Sequence, residues 1–281
     1  MAESVIGLMH PGEMGAAVAA CLTGRGYQVL WVPTRRSPAT AARAAAADLT
    51  AADGADAAAQ TADLAGRADI ILSICPPHAA LPVARAVAGA GPAAFTGIFV
   101  DANAISPGTA REVAAAVESA GASYVDGGII GSPPGPAGGT RLYLSGPRAG
   151  QVAGLFAGTA LDTVVIEGRG LTAASAVKMA YAGWSKGSAA LIFAVRALAR
   201  AEGVEDILLA EWALSQPGLA ERSRGAARSA AAKGWRWVGE MAEISASMLA
   251  DGLPSGFHAA AAEVFGHPDK FLDWHPNSAQ Q

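Results

Sequence analysis

SVIGLMHPGEMGAAVAACLTGRGYQVLWVPTRRSP, residues 4–38, decides how the rest of the chain is read. An apolar run, SVIGL, enters a glycine-rich turn, an Ala-rich segment follows from Met14 to Leu22, and QVLWV resumes the apolar run after Gly24 and Gly26. The pattern is strand, loop, helix and strand within about 35 residues, the βαβ unit of a parallel sheet. Gly7, Met9, His10, Pro11, Gly12, Glu13, Met14 and Gly15 make the turn that opens the helix. Glycines there let backbone N–H groups approach a pyrophosphate, and a helix N-terminus favours the negative charge. A strict GxGxxG would place its first glycine at His10, so this loop reads as a longer variant of the dinucleotide fingerprint.

The end of the second strand selects the cofactor. A free ribose 2′-hydroxyl calls for an acidic side chain at that point, whereas a 2′-phosphate calls for arginine. No Asp or Glu occurs between Tyr27 and Thr40; Thr34, Arg35, Arg36 and Ser37 stand there instead. Guanidinium forks and hydroxyls suit a phosphomonoester, so NADP(H) is the expected cofactor.

Beyond this unit, strands are read at 69–74 (DIILSI), 97–100 (GIFV), 123–126 (SYVD), 141–144 (RLYL) and 163–166 (TVVI). Helices are read over Ala39 to Ala47 and from Pro107 to Gly121, the latter with Ser106 as N-cap and Pro107 in its first turn. The segment DGADAAAQTADLAG carries no clear signal. Residues 168–203 read as one long helix, apolar on nearly every side, which needs a covering surface. Its charges at Lys178, Lys186, Arg196 and Arg200 break the apolar run short of a membrane span, so that surface is protein, and a partner subunit is the obvious source. No strand pattern follows residue 170. The fold class is therefore an α/β Rossmann domain, 1–167, followed by an all-α domain, 168–281, built around the long helix.

Composition narrows the function classes. The chain has 281 residues, a net charge of −4 and no basic run, which argues against a nucleic-acid surface. Cys21 and Cys75 have no metal-ligand spacing and read as buried thiols of a reducing compartment. His267, Asp269, Asp273 and His275 form no HxxxH pair, and no metal is expected. The opening MAESVIGL has neither a basic n-region nor a long apolar segment, so a cytoplasmic location is expected.

Five segments, in order, carry a family resemblance: the loop ending GEMG, ILSICPP, VDANAISP, VDGGIIGSPPGPAGGT and GRGLTAASAVKMAYAG. Together they resemble the β-hydroxyacid dehydrogenases, relatives of 6-phosphogluconate dehydrogenase, over nearly the whole chain, in a branch with a short C-terminal helical domain. The resemblance implies a Rossmann domain, a helical domain, and a homodimer in which helices of one subunit complete the pocket of the other. It implies that Lys178 is the general acid or base and that Cys75, Pro76 and Pro77 lie beside the nicotinamide, with Asn103 as a further polar contact. Hydride transfer to a carbonyl carbon leaves charge on oxygen, and an ammonium at that point stabilises the charge and supplies the proton.

The chain departs from the family pattern at two places. Ala182 stands where most members carry the substrate-holding Asn, and Tyr181 or Ser185 is the expected replacement. The usual Ser-Gly-Gly element reads Ile130-Gly131-Ser132, after Asp126-Gly127-Gly128-Ile129, in apolar surroundings that suit a bulkier or less polar substrate. Trp184, Trp237, Met241 and His258 are further candidates for the substrate side, with Trp235 and Glu240 on the same segment as Trp237. Three functions remain open: an NADP-dependent dehydrogenase or reductase of hydroxyl and carbonyl groups, an NADPH-dependent imine reductase, and a catalytically silent NADP-binding protein.

Overall fold

The computed structural model describes residues 4–91 and 95–271. The chain divides into two compact units, one ending at Lys178 and the other beginning at Met179.

The first unit is an eight-stranded sheet with helices on both faces. Its strands are β1 (Ile6–Leu8), β2 (Val29–Trp31), β3 (Thr50–Ala51), β4 (Ile70–Ser73), β5 (Ile98–Asp101), β6 (Ser123–Ile130), β7 (Thr140–Ser145) and β8 (Leu161–Val165), in the spatial order β3-β2-β1-β4-β5-β6-β7-β8. From β3 through β6 all neighbours are parallel; β7 runs antiparallel to β6, and β8 is parallel to β7. The order reverses between β1 and β4, which opens a crevice at the carboxyl ends of these strands, where α/β sheets take their ligands.

The interleaved helices are α1 (Glu13–Thr23), α2 (Pro38–Ala46), α3 (Ala57–Arg67), α4 (Ala80–Ala88), α5 (Pro107–Glu118) and α6 (Ala149–Leu155). Short central strands buried on both faces feed two core layers. In β4, Ile70 and Leu72 pack on one side with Leu8, Val18, Leu22 and Val100, while Ile71 packs on the other with Leu64, Val87, Phe99 and Val113. Each such side chain contributes roughly 1.5–3 kcal/mol on burial. Helix starts follow their caps. Ser106 Oγ accepts from the Thr109 amide at 3.1 Å ahead of Pro107, Ser37 does the same for Thr40 ahead of Pro38, and Asp56 accepts from Ala59 at 2.9 Å. The Asp56 cap begins α3 in the DGADAAAQ stretch, whose alanines give no apolar periodicity although Gln60, Thr61, Leu64 and Ala65 are buried.

The long helix α7 runs Ala173–Ala201, shorter than the 168–203 read from sequence. Gly168 and Gly170 adopt φ of 67° and 94°, which no right-handed helix permits, so they end the approach to the helix rather than begin it.

The second unit contains the remainder of α7 with α8 (Glu205–Ser215), α9 (Leu219–Ala250), α10 (Gly256–Gly266) and α11 (Pro268–Phe271). Arg196 and Arg200 both reach Glu205, at 2.7 and 2.9 Å, and Arg196 also donates to the buried Ser223 hydroxyl. Phe265 meets Phe193 and Trp237 edge-on. Lys186 pairs with Glu240 and lies over the Trp237 ring. The expectation that α7 is buried on most sides fails within the single chain: Tyr181, Trp184, Leu191 and Leu198 are 49, 70, 64 and 62% exposed. Among the described residues no helix is long and apolar enough to cross a membrane.

Candidate cofactor site and acid–base lysine

The glycine loop leaves β1 at its carboxyl end, where the Met9 amide continues the ladder to the Leu72 carbonyl at 3.1 Å. Gly15 is required sterically: a Cβ there would lie 2.2 Å from the His10 carbonyl oxygen, so the first turn of α1 folds back against the loop. Gly12 is the N-cap, makes no side-chain cap bond, and a Cβ on it would meet nothing within 4 Å. The loop thus has close backbone packing on one side and open space on the other, as an approaching pyrophosphate requires. His10 Nδ1 is buried without a hydrogen-bond partner among the described residues, and burial, followed by the nearby Arg36 charge, lowers the His10 pKa to about 4. A neutral imidazole therefore occupies the position where the strict fingerprint has glycine.

Arg36 joins the end of β2 to this loop. Its Nε donates to the Val32 carbonyl at 3.2 Å and its Nη2 to the Met9 carbonyl at 3.0 Å. Arg35 is exposed and has φ of 60°, a left-handed conformation that a non-glycine residue holds only at a cost. Thr34 is fixed through its amide to Gln60 Oε1 at 3.1 Å. The loop fits the pyrophosphate of a dinucleotide, and the end of β2 beside it presents two guanidinium groups and a hydroxyl.

Across the crevice, Cys75, Pro76 and Pro77 follow β4, with a 3-10 turn over Pro77–Ala79. The Cys75 amide donates to Asn103 Oδ1 at 2.5 Å, Asn103 Nδ2 donates to Ser73 Oγ at 3.0 Å, and the Asn103 amide donates to Asp101 Oδ1 at 2.9 Å. Asn103 is buried, so its side chain ties the ends of β4 and β5 together. Burial pushes the Cys75 thiol up to about 12, which keeps it protonated and not nucleophilic. Asp101 is also buried, its Oδ2 unpartnered, and burial raises its carboxyl to about 7, with Asp126 on the neighbouring strand adding to the shift.

Along β6, Asp126, Gly128 and Ile130 alternate onto one face, while Val125 and Ile129 point into the opposite core layer. Against that face lies the first turn of α7. A Cβ on Gly128 would come within 2.7 Å of the Ala174 carbonyl oxygen and 3.1 Å of Lys178 Cβ, so only glycine allows the approach. Lys178 is half-buried, and its Nζ donates to the Ile129 carbonyl at 2.8 Å.

The family model for the NAD binding domain of 6-phosphogluconate dehydrogenase matches residues 4–154. The chain belongs to the family of the 6-phosphogluconate dehydrogenase NAD-binding domain. Its N-terminal unit is a nicotinamide-dinucleotide-binding domain, and a second model, a domain of unknown function (DUF1932), matches residues 199–267. Among solved structures, a conserved protein described for its structural similarity with 3-hydroxyacid dehydrogenases shares 26% identity over 94% of this chain and 97% of its own, with a TM-score of 0.67. The 3-hydroxyisobutyrate dehydrogenase of Mycobacterium tuberculosis, solved with L-serine, shares 22% over 96 and 95%, TM-score 0.63. A reductive aminase from Aspergillus terreus, solved with NADPH, cyclohexanone and allyl amine, shares 18% over 95 and 94%, TM-score 0.59. The last two likenesses concern the fold alone. No curated protein matches the chain.

Within this dehydrogenase-family chain the sequence-derived residues sort by position. Met9, His10, Pro11, Gly12, Glu13 and Met14 lie in or just after the loop; Gly7 sits inside β1, where a Cβ would strike Leu64 of α3 at 2.5 Å, so its bare backbone lets that helix pack on the strand. Gly131 and Ser132 follow Ile130 into the β6–β7 connection, with the Ser132 carbonyl held by Thr140 Oγ1 at 2.6 Å. In the helical unit, Tyr181 is exposed, Ser185 half-buried and Ala182 buried. Trp184 and His258 share the wall of an apolar groove of about 630 Å³ with Leu191, Phe257 and Val264. One substrate candidate is corrected. Met241 is fully buried in the unit's core and presents no surface to a ligand, because it falls on the inward face of α9, whose periodicity sequence alone left ambiguous. Trp237 is part-buried, with Phe265 edge-on to its ring and Lys186 over it. Gly183 and Gly187, one turn apart, leave the space His258 fills, and its Nε2 lies 3.2 Å from the Gly183 carbonyl.

Sequence reasoning assigned no role to Asp126, Ser145 and Ser175. The signal was a lone Asp at a strand end and a Ser three residues before the lysine, each unremarkable until the fold brings them together. Among the described residues no group of three or more His, Cys, Asp and Glu is placed to hold a metal ion; Asp273 and His275 lie outside them.

Proposed function

We propose that the chain is an NADP-dependent oxidoreductase acting on a hydroxyl or carbonyl group, with Lys178 as the general acid or base. The observation that carries this reading is the seat of Lys178. Its ammonium is held by the Ile129 carbonyl at the carboxyl end of β6, the same end of the sheet from which the glycine loop leaves β1. When bound, the nicotinamide supplies or accepts the hydride. Lys178 stabilises charge growing on the substrate oxygen and gives it a proton, or takes the proton in the opposite direction. Gly12 and the N-terminus of α1 receive the pyrophosphate, with Pro76 and Pro77 beside the nicotinamide. Arg35, together with Thr34 and Arg36, receives a 2′-phosphate, and the absence of an acidic residue after β2 supports NADP over NAD.

The proposal extends to a homodimer in a cytoplasmic location. Tyr181, Trp184, Ser188, Leu191, Val195 and Leu198 recur at alternating spacings of three and four along α7, and five of the six are exposed apolar residues. Such a stripe matches the seam of paired helices and suits a second copy of the chain, whose helices would complete the substrate pocket.

Imine reduction is the second reading. Ala182 in place of the substrate-holding Asn, and the apolar Ile130 next to the Ile129 carbonyl that holds Lys178, favour a substrate without a carboxylate at that end. In either reading Tyr181 or Ser185 replaces the lost polar contact.

Replacing Lys178 with Met should lower turnover by about two orders of magnitude, since general acid–base catalysis contributes roughly 10²–10⁴-fold. Unchanged turnover removes Lys178 from the mechanism. A panel of cyclic imines against β-hydroxy and β-keto acids separates the two chemistries, and no NADPH consumption with any of them marks a silent binding protein. Arg35→Ala should weaken NADPH binding by about tenfold or more while leaving NADH unchanged, in line with loss of one charge-assisted contact. Equal affinity of the wild-type protein for the two cofactors counts against the NADP assignment.

A further inference from the structure

Asp126 is buried midway along β6, level with the last residue of β5, and α7 begins directly against it. Its Oδ2 accepts the Ser175 amide at 2.7 Å and its Oδ1 accepts the Ser175 hydroxyl at 2.5 Å. Ser145, opposite Asp126 in the β6–β7 register, completes the cluster. Its Oγ accepts the Ala174 amide at 3.0 Å, and its single proton is within reach of both Asp126 Oδ2 at 3.1 Å and the Leu171 carbonyl at 2.9 Å, serving one at a time. Amides at the start of a helix lack intrahelical acceptors, and the positive end of the helix dipole favours an anion there. Burial raises the Asp126 pKa, and the bonds from Ser175 and Ser145 oppose that rise.

Ser175 and Lys178 are three residues apart, hence neighbours on one face of α7. The first turn of the helix is therefore held at three successive points of β6: Asp126 on Ser175, Gly128 under Ala174, and the Ile129 carbonyl on Lys178. A turn fixed at its first residues has little freedom to rotate or lift, so the stem of Lys178 starts from a set position. Precise placement matters because small displacements of an acid–base group cost large factors in rate.

The geometry points to Asp126, acting with Ser145 and Ser175, as the positioning residue of Lys178: the three fasten the start of α7 to the middle of β6 and so set where the lysine ammonium is held. This rests on the reading of Lys178 as the acid–base group, but the arrangement itself is measurable without any substrate.

The test is competitive acetylation of the full-length protein with trace acetic anhydride, read by mass spectrometry, with the exposed Lys233 as internal reference. The labelling ratio of Lys178 to Lys233 should rise by up to about tenfold in Ser175→Ala and in Asp126→Asn, as expected for loss of a hydrogen bond to a charged acceptor, and return toward the wild-type value in Ser175→Thr. Should Asp126→Asn fail to fold, Ser175→Ala decides the matter. With the substrate found from the panel above, Ser175→Ala should lower kcat while KM for NADPH stays unchanged, and should add no further loss to Lys178→Met. An unchanged labelling ratio in Ser175→Ala, or a loss fully additive with Lys178→Met, overturns the positioning role. Full turnover of Lys178→Met alone would instead overturn the acid–base reading and leave the labelling result standing.

Discussion

At the scale of single residues, burial decides the ionisation of the groups around the crevice. Asp101 is buried with one oxygen unpartnered, and its carboxyl titrates near 7 in the native protein against 3.8 ordinarily. Between these values the native state holds a proton that the unfolded chain has released, so stability falls as pH rises from about 4 to 7, by up to roughly 1.4 kcal/mol per pH unit. His10 acts in the opposite sense: lowered from 6.5 to about 4, it costs stability as pH falls through that window, because the unfolded chain takes up the proton first. Asp101→Asn keeps the acceptor for the Asn103 amide and removes only the first slope. The difference in Tm, variant minus wild type, should therefore climb between pH 4 and 7 and level off above. A difference that stays flat across that range would show Asp101 ionising at its ordinary pKa.

Elements are positioned by glycines at close approaches as much as by apolar packing. Gly15 brings α1 onto the glycine loop, and Gly128 brings α7 onto β6. Gly15→Ala forces a Cβ against the His10 carbonyl, and the loop must move. Expected are a loss of roughly 1–3 kcal/mol in denaturant unfolding and a weakened affinity for NADPH, both measured on the same preparation. Retained affinity would mean that the loop tolerates displacement and does not cradle the cofactor. Sequence marked Gly15 through its place in the fingerprint. Gly128 sits in the VDGGIIG segment and carried no comparable signal, because its need arises from a helix some fifty residues away.

For the whole molecule, the exposed apolar stripe on α7 is the surface proposed to meet a second copy. Trp184 and Leu191 are 70 and 64% exposed and lie along the same seam. Leu191→Glu, or Trp184→Glu, should convert the proposed dimer to a monomer in sedimentation equilibrium, because a carboxylate in an apolar seam is desolvated without a partner. A wild-type protein that sediments as a monomer would defeat the assignment of this face to a second copy.

The sequence by itself determined seven of the eight strands, the helices α1, α2 and α5, the glycine loop, the basic end of the second strand and the lysine on the long helix. These are local signals: period, caps and turn chemistry act within a few residues. It read α7 too long because positive φ at Gly168 and Gly170 is not written in composition, and it passed over α3, whose alanines show no apolar face. Only the tertiary structure decided that Met241 is core, that Gly7 packs against Leu64, and that Asp126, Ser145 and Ser175 converge beneath the turn carrying Lys178. Such facts depend on which strand end lies beside which helix, and residues 49 positions apart meet only after the sheet has formed.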